Sequence, residues 1–365
     1  DEVTLLHSRF LACDRVERDK QMLRLFGKDG SNRPGRHIVV ATQVIEQSLD
    51  VDFDMMITDP APMDLVLQRI GRLHRHPGRK RPAGLEEAIC HVVVTDLNAS
   101  PWGYGRGSEV VYGTYPLLRF LGALADHPDG IVVEEPGDYA AYTQLAYSTK
   151  KVGPRSWAEA IGKAWEKQDV ENNRSISKAR GYCLDGLKLP TWKANALVSS
   201  FAGNAATGDE GLNKEGICAQ AAVRDTEDQI PVLIVPLDPS MGNVPIIPPW
   251  LENEDGIPVV LDVGTWPGAE QVRQVRSWSV SLPPWSFRDK GDVLDETIEK
   301  IVSAIWDCEI TRNWEWLEHP LLRGELILPM SRVDAYSTRL ETELHNRKLV
   351  YTQEKGLEVQ ELDRM

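Results

Sequence analysis

The chain has 365 residues, of which 42% are hydrophobic and 26% charged, so it is long enough for two or three packed domains and is not intrinsically disordered. Its formal net charge of −14 excludes a protein that coats nucleic acid with its whole surface, although a local basic track remains compatible with it. Five widely spaced cysteines without a CxxC pair favour reduced thiols and a cytoplasmic location, and the sequence has no apolar run long enough to span a membrane.

The first hundred residues alternate strand and helix patterns. Asp14 is the predicted N-cap of the first helix, and Gly27 is its predicted end. The predicted elements are strands at 3–8, 37–42, 55–58 and 88–96, and helices at 13–27 and 63–71. This alternation predicts an α/β fold with a buried, parallel, doubly wound sheet, in which ligands bind beyond the carboxyl ends of the strands.

The pattern changes after residue 98. Residues 99–215 begin with a Gly-rich stretch and continue with helical periodicity. Helices are predicted at 115–126, 138–147 and 155–182. The last of these is long and mostly polar with one narrow apolar face, which is typical of a linker helix that packs between domains. We therefore predict one domain at 1–98 and a helical extension with a linker helix at 99–215.

Residues 216–365 form the third predicted region, a small β-rich α+β domain. It contains an amphipathic helix at 295–310, a short helix-like segment at 321–330 and a final hairpin that turns at Lys355-Gly356. Tryptophans fall among its prolines, and two roles are open for them: packing a small domain, or stacking bases and anchoring a partner. These residues are Trp250, Trp266, Trp278 and Trp285.

The stretch QRIGRLHRH, residues 68–76, spaces Arg69, Arg72 and Arg75 three residues apart. On a helix these guanidinium groups would crowd together, which becomes favourable when something strongly negative lies opposite. Residues 68–82 carry six Arg or Lys and no acid, and they follow the segment at 36–54 by one predicted helix. Both segments are thus expected at one sheet edge, where planar, always charged guanidinium suits a phosphoryl group. A solvated basic surface is the alternative.

Two of these stretches resemble motifs of a known family. ATQVIEQSLDVDFD, residues 41–54, resembles motif V of superfamily 2 helicases, and QRIGRLHRH resembles motif VI. The amino-acid sequences of both motifs are more similar still to the helicase-nuclease of type I CRISPR systems. Residues 5–27 are similar to the segment that precedes motif V in that family. The resemblance is specific over residues 5–96 and architectural beyond them. It implies that residues 1–98 are the C-terminal part of the second RecA-like lobe.

The resemblance also implies roles for individual residues. Arg72 and Arg75 would be catalytic and reach the γ-phosphate of ATP. Nucleotide binding is implied for Gln68, Asp50 and Gly71. Contact with the backbone of single-stranded DNA is implied for Thr42, Gln43, Ser8 and Arg9. For Arg69 an ion pair within the lobe and a ligand contact are both open, and no metal ligand is predicted.

The departures from the family pattern concern the rest of the ATP site. GxxxxGK[ST], a buried Walker B strand and the nuclease motifs are all missing from these residues. We therefore expect a fragment of a longer chain that begins within the lobe and carries half of an ATP site. ATP and Mg²⁺ would be shared with the first lobe, and the nuclease metal would lie outside these residues. The fragment alone is predicted to be inactive as an ATPase and as a nuclease.

The function implied by the resemblance is that of an ATP-dependent single-strand DNA translocase and nuclease that degrades target DNA in CRISPR interference. Its expected partners are single-stranded DNA, the RNA-guided surveillance complex, and the first lobe with the nuclease domain. Two alternatives stay open. One is a different superfamily 2 helicase that acts on DNA or RNA, and the other is a non-catalytic module that docks on the surveillance complex. The docking module would leave the arginine spacing unexplained.

Overall fold

The computed structural model describes residues 2–30, 33–46, 49–134, 136–181, 229–251, 258–289, 291–334 and 337–362. Contacts divide the chain into two compact units. The first unit comprises Asp1–Met56, Gln68–Ile89 and Asp228–Met365, and the second comprises Ile57–Leu67 and Cys90–Glu227. The first unit therefore combines the beginning and the end of the sequence, while the boundaries predicted at residues 98 and 215 stay a prediction.

The first unit begins with a parallel strand pair and a helix. These elements are β1 (Glu2–Leu6), α1 (Ala12–Phe26) and β2 (His37–Ala41). The strands pair in parallel from Glu2 opposite His37 to Leu6 opposite Ala41, which confirms the predicted pairing mode. Gly27 ends α1 as predicted, but Leu11 and not Asp14 occupies the N-cap position.

The burial predicted for the second strand is found on one face only. Met22 and Phe26 of α1 are buried against Leu6, and Val39 of β2 packs on this cluster. The side chains of a strand alternate between faces, so Ile38 and Val40 lie on the opposite face, where they are 47% and 52% exposed. The prediction of a strand buried on both faces is therefore wrong for β2.

The next elements complete the α/β pattern. A short 3₁₀ helix at Gln43–Glu46 follows β2, and it is followed by β3 (Met56–Thr58), α2 (Met63–Ile70) and β4 (Cys90–Val92). Strands β3 and β4 form a second two-stranded sheet. The α/β class is confirmed. Because α2 ends at Ile70, only the first of the three spaced arginines lies on a helix.

The second unit contains the predicted helices. They are α3 (Arg106–Tyr112), α4 (Thr114–Ala125), α5 (Pro136–Tyr147) and α6 (Ala158–Gly181). Helix α4 contributes buried apolar side chains to this unit, together with Arg119, which is 3% exposed. The guanidinium of Arg119 donates to the carbonyls of Ala146 and Ser148, each at 3.0 Å. It thereby satisfies groups that the end of α5 leaves without helical partners.

A seven-stranded sheet forms most of the first unit. Its elements are β5 (Ile230–Asp238), β6 (Val244–Pro245), α7 (Ala269–Arg276), β7 (Ser279–Leu282), α8 (Leu294–Trp306), β8 (Leu326–Arg332), β9 (Leu340–Leu344), β10 (Arg347–Thr352) and β11 (Gly356–Glu361). The strand order is β11-β10-β9-β8-β5-β6, and β7 also pairs with β5. Strands β5 and β8 are parallel, whereas the other pairs are antiparallel.

The sheet confirms one prediction for this region and corrects another. The hairpin of β10 and β11 turns before Gly356, which pairs with Thr352, as the turn residues predict. The segment at 321–330 is not helix-like, because its second half enters β8, which lies between β5 and β9. A short apolar run fits a buried helix or a buried strand equally well, so its periodicity alone does not distinguish them.

A buried ion pair joins the parallel strands of this sheet. The Arg332 guanidinium lies 3.2 Å from an oxygen of Asp238, and both side chains are almost fully buried. Burial by itself raises the pKa of Asp238, but hydrogen bonds from Ser240 and the charge of Arg332 outweigh it and lower the pKa below its ordinary value. Across the described ranges of the chain, no helix is both long and apolar enough to cross a membrane.

Candidate functional site

The four predicted DNA-contacting residues follow the carboxyl ends of β1 and β2. Because these strands are parallel neighbours, Ser8 and Arg9 reach the same edge of the sheet as Thr42 and Gln43. The Thr42 amide fixes this arrangement by donating to the Leu6 carbonyl at 3.0 Å. Ser8, Thr42 and Gln43 are exposed, and Arg9 is half-buried. All four residues therefore follow the carboxyl ends of the same parallel strand pair.

The two helicase-like segments run side by side beyond the helix end. The Phe53 amide donates to the Arg72 carbonyl at 2.8 Å, and the His74 amide donates back to the Phe53 carbonyl at 3.0 Å. Leu73 and Phe53 thus form a parallel bridge. His74 takes a φ of +49°, which turns the chain after this bridge. The bridge places Arg72 and Arg75 next to the segment that contains Asp50.

Asp50 holds Arg75 at the protein surface. One Asp50 carboxylate oxygen accepts from Nε of Arg75 at 2.6 Å and lies 3.1 Å from Nε2 of His76. The hydrogen bonds from His76 and Arg75 lower the pKa of Asp50, which therefore keeps its negative charge. Arg75 stays 40% exposed, and its Nη1 also donates to the Gly71 carbonyl at 3.1 Å. Its guanidinium is thus oriented but accessible.

Arg72 is more enclosed than Arg75. Its guanidinium lies 3.4 Å from the carbonyl of Gln68 and 3.5 Å from that of Glu46, and it is partly buried. Burial lowers the pKa of Arg72, and the nearby charge of Arg75 lowers it further. A partly dehydrated cation attracts an anion more strongly than one in water. The arrangement suits a ligand with several negative oxygens.

Arg69 and Glu46 form an ion pair within the first unit. Nε and Nη2 of Arg69 donate to one Glu46 oxygen at 2.9 and 2.6 Å. Each side chain is 11% exposed, so the pair is largely shielded from water. It connects the last turn of α2 with the 3₁₀ helix at Gln43–Glu46. Of the two roles open for Arg69, the structure shows the ion pair.

The negative charge opposite the basic stretch comes from the protein itself. Asp52 is fully buried and lies 2.9 Å from nitrogens of both Arg79 and Arg81. Asp54 pairs with Arg33 and with Arg81, each at 2.7 Å. Burial alone raises the pKa of Asp54, but the hydrogen bonds from both arginines lower it overall. Most of the positive charge that the sequence concentrates at 68–82 is therefore neutralised inside the unit.

Asp52 and Asp54 were missed as partners of the basic stretch by sequence reasoning, although a signal was present. Asp50, Asp52 and Asp54 alternate in the run DVDFD. In an extended segment, residues two apart point to the same side, so three carboxylates face one neighbouring segment. The basic stretch is that neighbour. Within the described ranges, no group of three or more His, Cys, Asp or Glu is arranged to hold a metal ion.

Comparisons with known proteins place this geometry in a family. A family model described as CRISPR-associated nuclease/helicase Cas3, C-terminal, matches residues 1–78, and a model described as Cas3 C-terminal domain matches residues 224–357. The chain belongs to the Cas3 family. The resemblance inferred from the two motifs is thereby confirmed, and the alternative of a different superfamily 2 helicase is set aside.

Individual Cas3 proteins agree with this assignment. The CRISPR-associated nuclease/helicase Cas3 of Streptococcus thermophilus is 35% identical over 239 residues, which cover 64% of this chain and 24% of that protein. The crystal structure of T. fusca Cas3-ATP is 25% identical with a TM-score of 0.69 and covers 98% of this chain and 35% of that one. The chain thus spans about a quarter of the curated relative.

A further neighbour shows the fold in a larger assembly. A chain of a structure described as a CRISPR RNA-guided surveillance complex, pre-nicking, is 23% identical with a TM-score of 0.60. It covers 98% of this chain and 37% of that chain. At this identity the likeness is one of fold. The α/β part and the β-rich sheet of this Cas3 chain therefore recur together in solved structures.

Proposed function

We propose that this chain supplies the arginine side of an ATP site in a type I CRISPR helicase-nuclease. The observation that carries this proposal is the bridge between Phe53 and Leu73, which brings Arg72 and Arg75 to one surface beside Asp50. The first lobe and the nuclease domain would complete the motor. ATP turnover, strand movement and degradation of target DNA would belong to that complete protein.

The hydrogen-bond donors of Arg72 and Arg75 fit the phosphates of a nucleoside triphosphate. Arg72 and Arg75 supply permanent charge and paired donors, which suit phosphate oxygens. Asp50 keeps the guanidinium of Arg75 in place, so little side-chain freedom is lost when an anion binds. Gln68 is exposed at the end of α2, and Gly71 adjoins Arg72, so both are proposed to contact the nucleotide. Bound Mg²⁺ would neutralise phosphate charge and is assigned to the complementary lobe.

Single-stranded DNA is the proposed ligand of the β1–β2 edge. Thr42, Gln43 and Ser8 offer exposed hydroxyl and amide groups there, and Arg9 adds a positive charge. Such groups suit phosphate and sugar oxygens, and contacts to those oxygens do not distinguish one base from another. In an RNA-guided system the guide reads the sequence, so backbone contacts suffice. The RNA-guided surveillance complex is the proposed protein partner, which is supported by the fold shared with a chain of such a complex.

The test is ATP turnover in the presence of single-stranded DNA. The chain is assayed alone and joined to the first RecA-like lobe and nuclease domain of its family. We expect no turnover from the chain alone, turnover from the joined protein, and a loss of roughly 10³-fold with Arg75→Ala. Arg24→Ala is the matched control, because Arg24 is an exposed arginine whose partner is Glu17 on the outside of α1.

Three results would decide against the proposal. Turnover by the chain alone would mean that a complete ATP site lies within it. Full activity of the Arg75→Ala protein would remove Arg75 from the reaction. Equal losses with Arg75→Ala and Arg24→Ala would indicate a general effect of removing positive charge.

A further inference from the structure

The four tryptophans among the prolines divide into two pairs. Trp278 is fully buried, and Trp250 is partly buried against the same core and donates from Nε1 to Asp14 at 3.0 Å. Both therefore pack the first unit. Trp266 and Trp285 are 58% and 55% exposed, so each side chain adds little buried area to the core. Large exposed aromatic side chains suit a binding role better than a packing role.

Trp285 lies beside the edge proposed to bind the single strand. The guanidinium carbon of Arg9 is 5.3 Å from the centre of the Trp285 ring, within the range of a cation–π contact. Ser8 precedes Arg9 directly, and both follow the carboxyl end of β1. Trp266, by contrast, contacts His319 edge to face at 5.4 Å. Of the two exposed tryptophans, Trp285 therefore adjoins the candidate DNA-binding residues.

The backbone around Arg9 is fixed by the final hairpin. The Leu357 amide donates to the Arg9 carbonyl at 2.8 Å. Gly356 has a φ of +72°, and a Cβ atom at this position would lie 2.6 Å from the Arg9 carbonyl oxygen. Glycine is thus required for the hairpin to approach so closely. The backbone that carries the Arg9 side chain is thus held by the final hairpin and is not a free loop.

The charge of Arg9 is available to a ligand. Among the described residues, Arg9 has no carboxylate ion-pair partner, unlike Arg69 and Arg75, which are paired with acids. Burial lowers the pKa of Arg9, which reflects lost hydration of its guanidinium. In a chain with a net charge of −14, a partly dehydrated arginine beside an exposed aromatic ring favours an anionic ligand that also has flat apolar faces.

We propose that Trp285 and Arg9 form a stacking platform for the single strand, on which a base packs against Trp285 while Arg9 neutralises a neighbouring phosphate. A nucleic-acid strand combines the required chemistry, because it alternates flat bases with anionic phosphates. Every base has an aromatic face, so such a platform binds without sequence preference. This inference rests on the proposed function and names a binding residue within it.

The test measures binding of a labelled thymidine oligonucleotide to the chain by fluorescence anisotropy. Base–aromatic stacking contributes about 1–3 kcal/mol per base, so Trp285→Ala should weaken binding about 5- to 150-fold. Trp285→Phe, which keeps an aromatic face, should restore most of the affinity. Trp266→Ala removes a tryptophan of matched exposure and should leave binding unchanged. Arg9→Ala should weaken binding and reduce the slope of log K against log salt by about 0.7.

An oligonucleotide with abasic sites separates stacking from other effects. If Trp285 stacks a base, the loss caused by Trp285→Ala should disappear on abasic DNA, where no base is left to stack. An equal loss on intact and abasic DNA would overturn the platform and assign Trp285 to holding Arg9. Unchanged binding by Trp285→Ala on both ligands would also overturn it, and it would favour a protein partner for this surface.

The failure of this inference is distinguishable from failure of the proposed function. Loss of turnover with Arg75→Ala, together with normal oligonucleotide binding by Trp285→Ala, would reject the platform and leave the ATP site standing. Absence of oligonucleotide binding by the unchanged chain would reject the platform as well. The proposed ATP site is rejected instead by the turnover results given above, for the chain alone and for the Arg75→Ala and Arg24→Ala variants of the joined protein.

Discussion

Tyr351→Phe is expected to loosen the connection between α1 and the seven-stranded sheet. The Tyr351 hydroxyl donates to one Asp14 oxygen at 2.5 Å and accepts from the Leu11 amide at 3.0 Å. Trp250 donates to the other Asp14 oxygen at 3.0 Å and stacks on the Tyr351 ring. Tyr351 is fully buried, and Asp14 is 4% exposed. Water therefore cannot replace the hydroxyl without a rearrangement of the core.

The size of the effect follows from the two lost hydrogen bonds. The bond to the Asp14 carboxylate contributes about 1.5–3 kcal/mol, and the bond from the Leu11 amide about 0.5–1.5 kcal/mol. The ring remains in place, so only the volume of one oxygen atom is lost. We expect Tyr351→Phe to lower the free energy of unfolding of the first unit by about 2–4.5 kcal/mol at pH 7.

The loss should depend on pH in a defined direction. Burial raises the pKa of Asp14, and the hydrogen bonds from Tyr351 and Trp250 oppose this rise. A carboxyl group whose pKa is raised by folding destabilises the fold when it is ionised, at pH values above that pKa. Removal of the Tyr351 hydroxyl raises the pKa further. The variant should therefore recover part of its stability as the pH is lowered from 7 towards the pKa of Asp14.

Native-state hydrogen exchange of the β10 amides measures this effect in the unit that contains Tyr351. Tyr147→Phe is the control, because the Tyr147 hydroxyl donates to Asp64 at 2.8 Å in an exposed position. Both residues belong to the other unit, so the β10 amides should keep their protection. A change of less than about 0.5 kcal/mol in Tyr351→Phe, below the usual contribution of one hydrogen bond, would refute the reasoning.

Three further substitutions test the first unit. Gly356→Ala should lower its stability by about 2 kcal/mol, because alanine is strained at this positive φ and its Cβ atom would collide with the Arg9 carbonyl; urea unfolding measures the loss. Asp238→Asn should cost about 3 kcal/mol by leaving Arg332 without its buried partner. Because folding lowers the pKa of Asp238, the unchanged protein should lose this contribution as the pH falls below about 4, and the variant should lack that acid transition in pH-dependent unfolding. Asp52→Asn should also cost about 3 kcal/mol, measured by the same unfolding assay, and a neutral result would mean that the surrounding arginines are stable without this carboxylate.

Local patterns in the sequence predicted much of the scaffold and the strand ends at which the candidate site residues lie. The alternation of strands and helices placed Thr42 and Gln43 at a strand end, and turn chemistry placed the last hairpin at Lys355-Gly356. These features depend on neighbouring residues, whose spacing and conformational preferences are visible in one sequence. The order and the amino-acid sequences of the two helicase-like segments were sufficient to indicate the family.

Long-range packing determined what local patterns left open. The spacing of Arg69, Arg72 and Arg75 suggested one helical face, but α2 ends at Ile70, and the last two arginines join a segment paired with Phe53. The segment at 321–330 has apolar residues that fit a helix or a strand. Pairing with β5 and β9 makes its second half a strand, β8. In both cases partners distant in the sequence determine the conformation, so periodicity alone was insufficient.

The sequence by itself determined where charged and aromatic residues occur, and only the tertiary structure decided which of them meet. It placed an acidic run at Asp50–Asp54 and a basic stretch at 68–82 but left their mutual neutralisation hidden. Arg9 and Trp285 are separated by more than 270 positions, yet they lie within cation–π distance, and the final hairpin packs on the segment that carries Arg9. Charge pairing and stacking act through space over a few ångströms, so the fold must bring the partners together before either interaction exists.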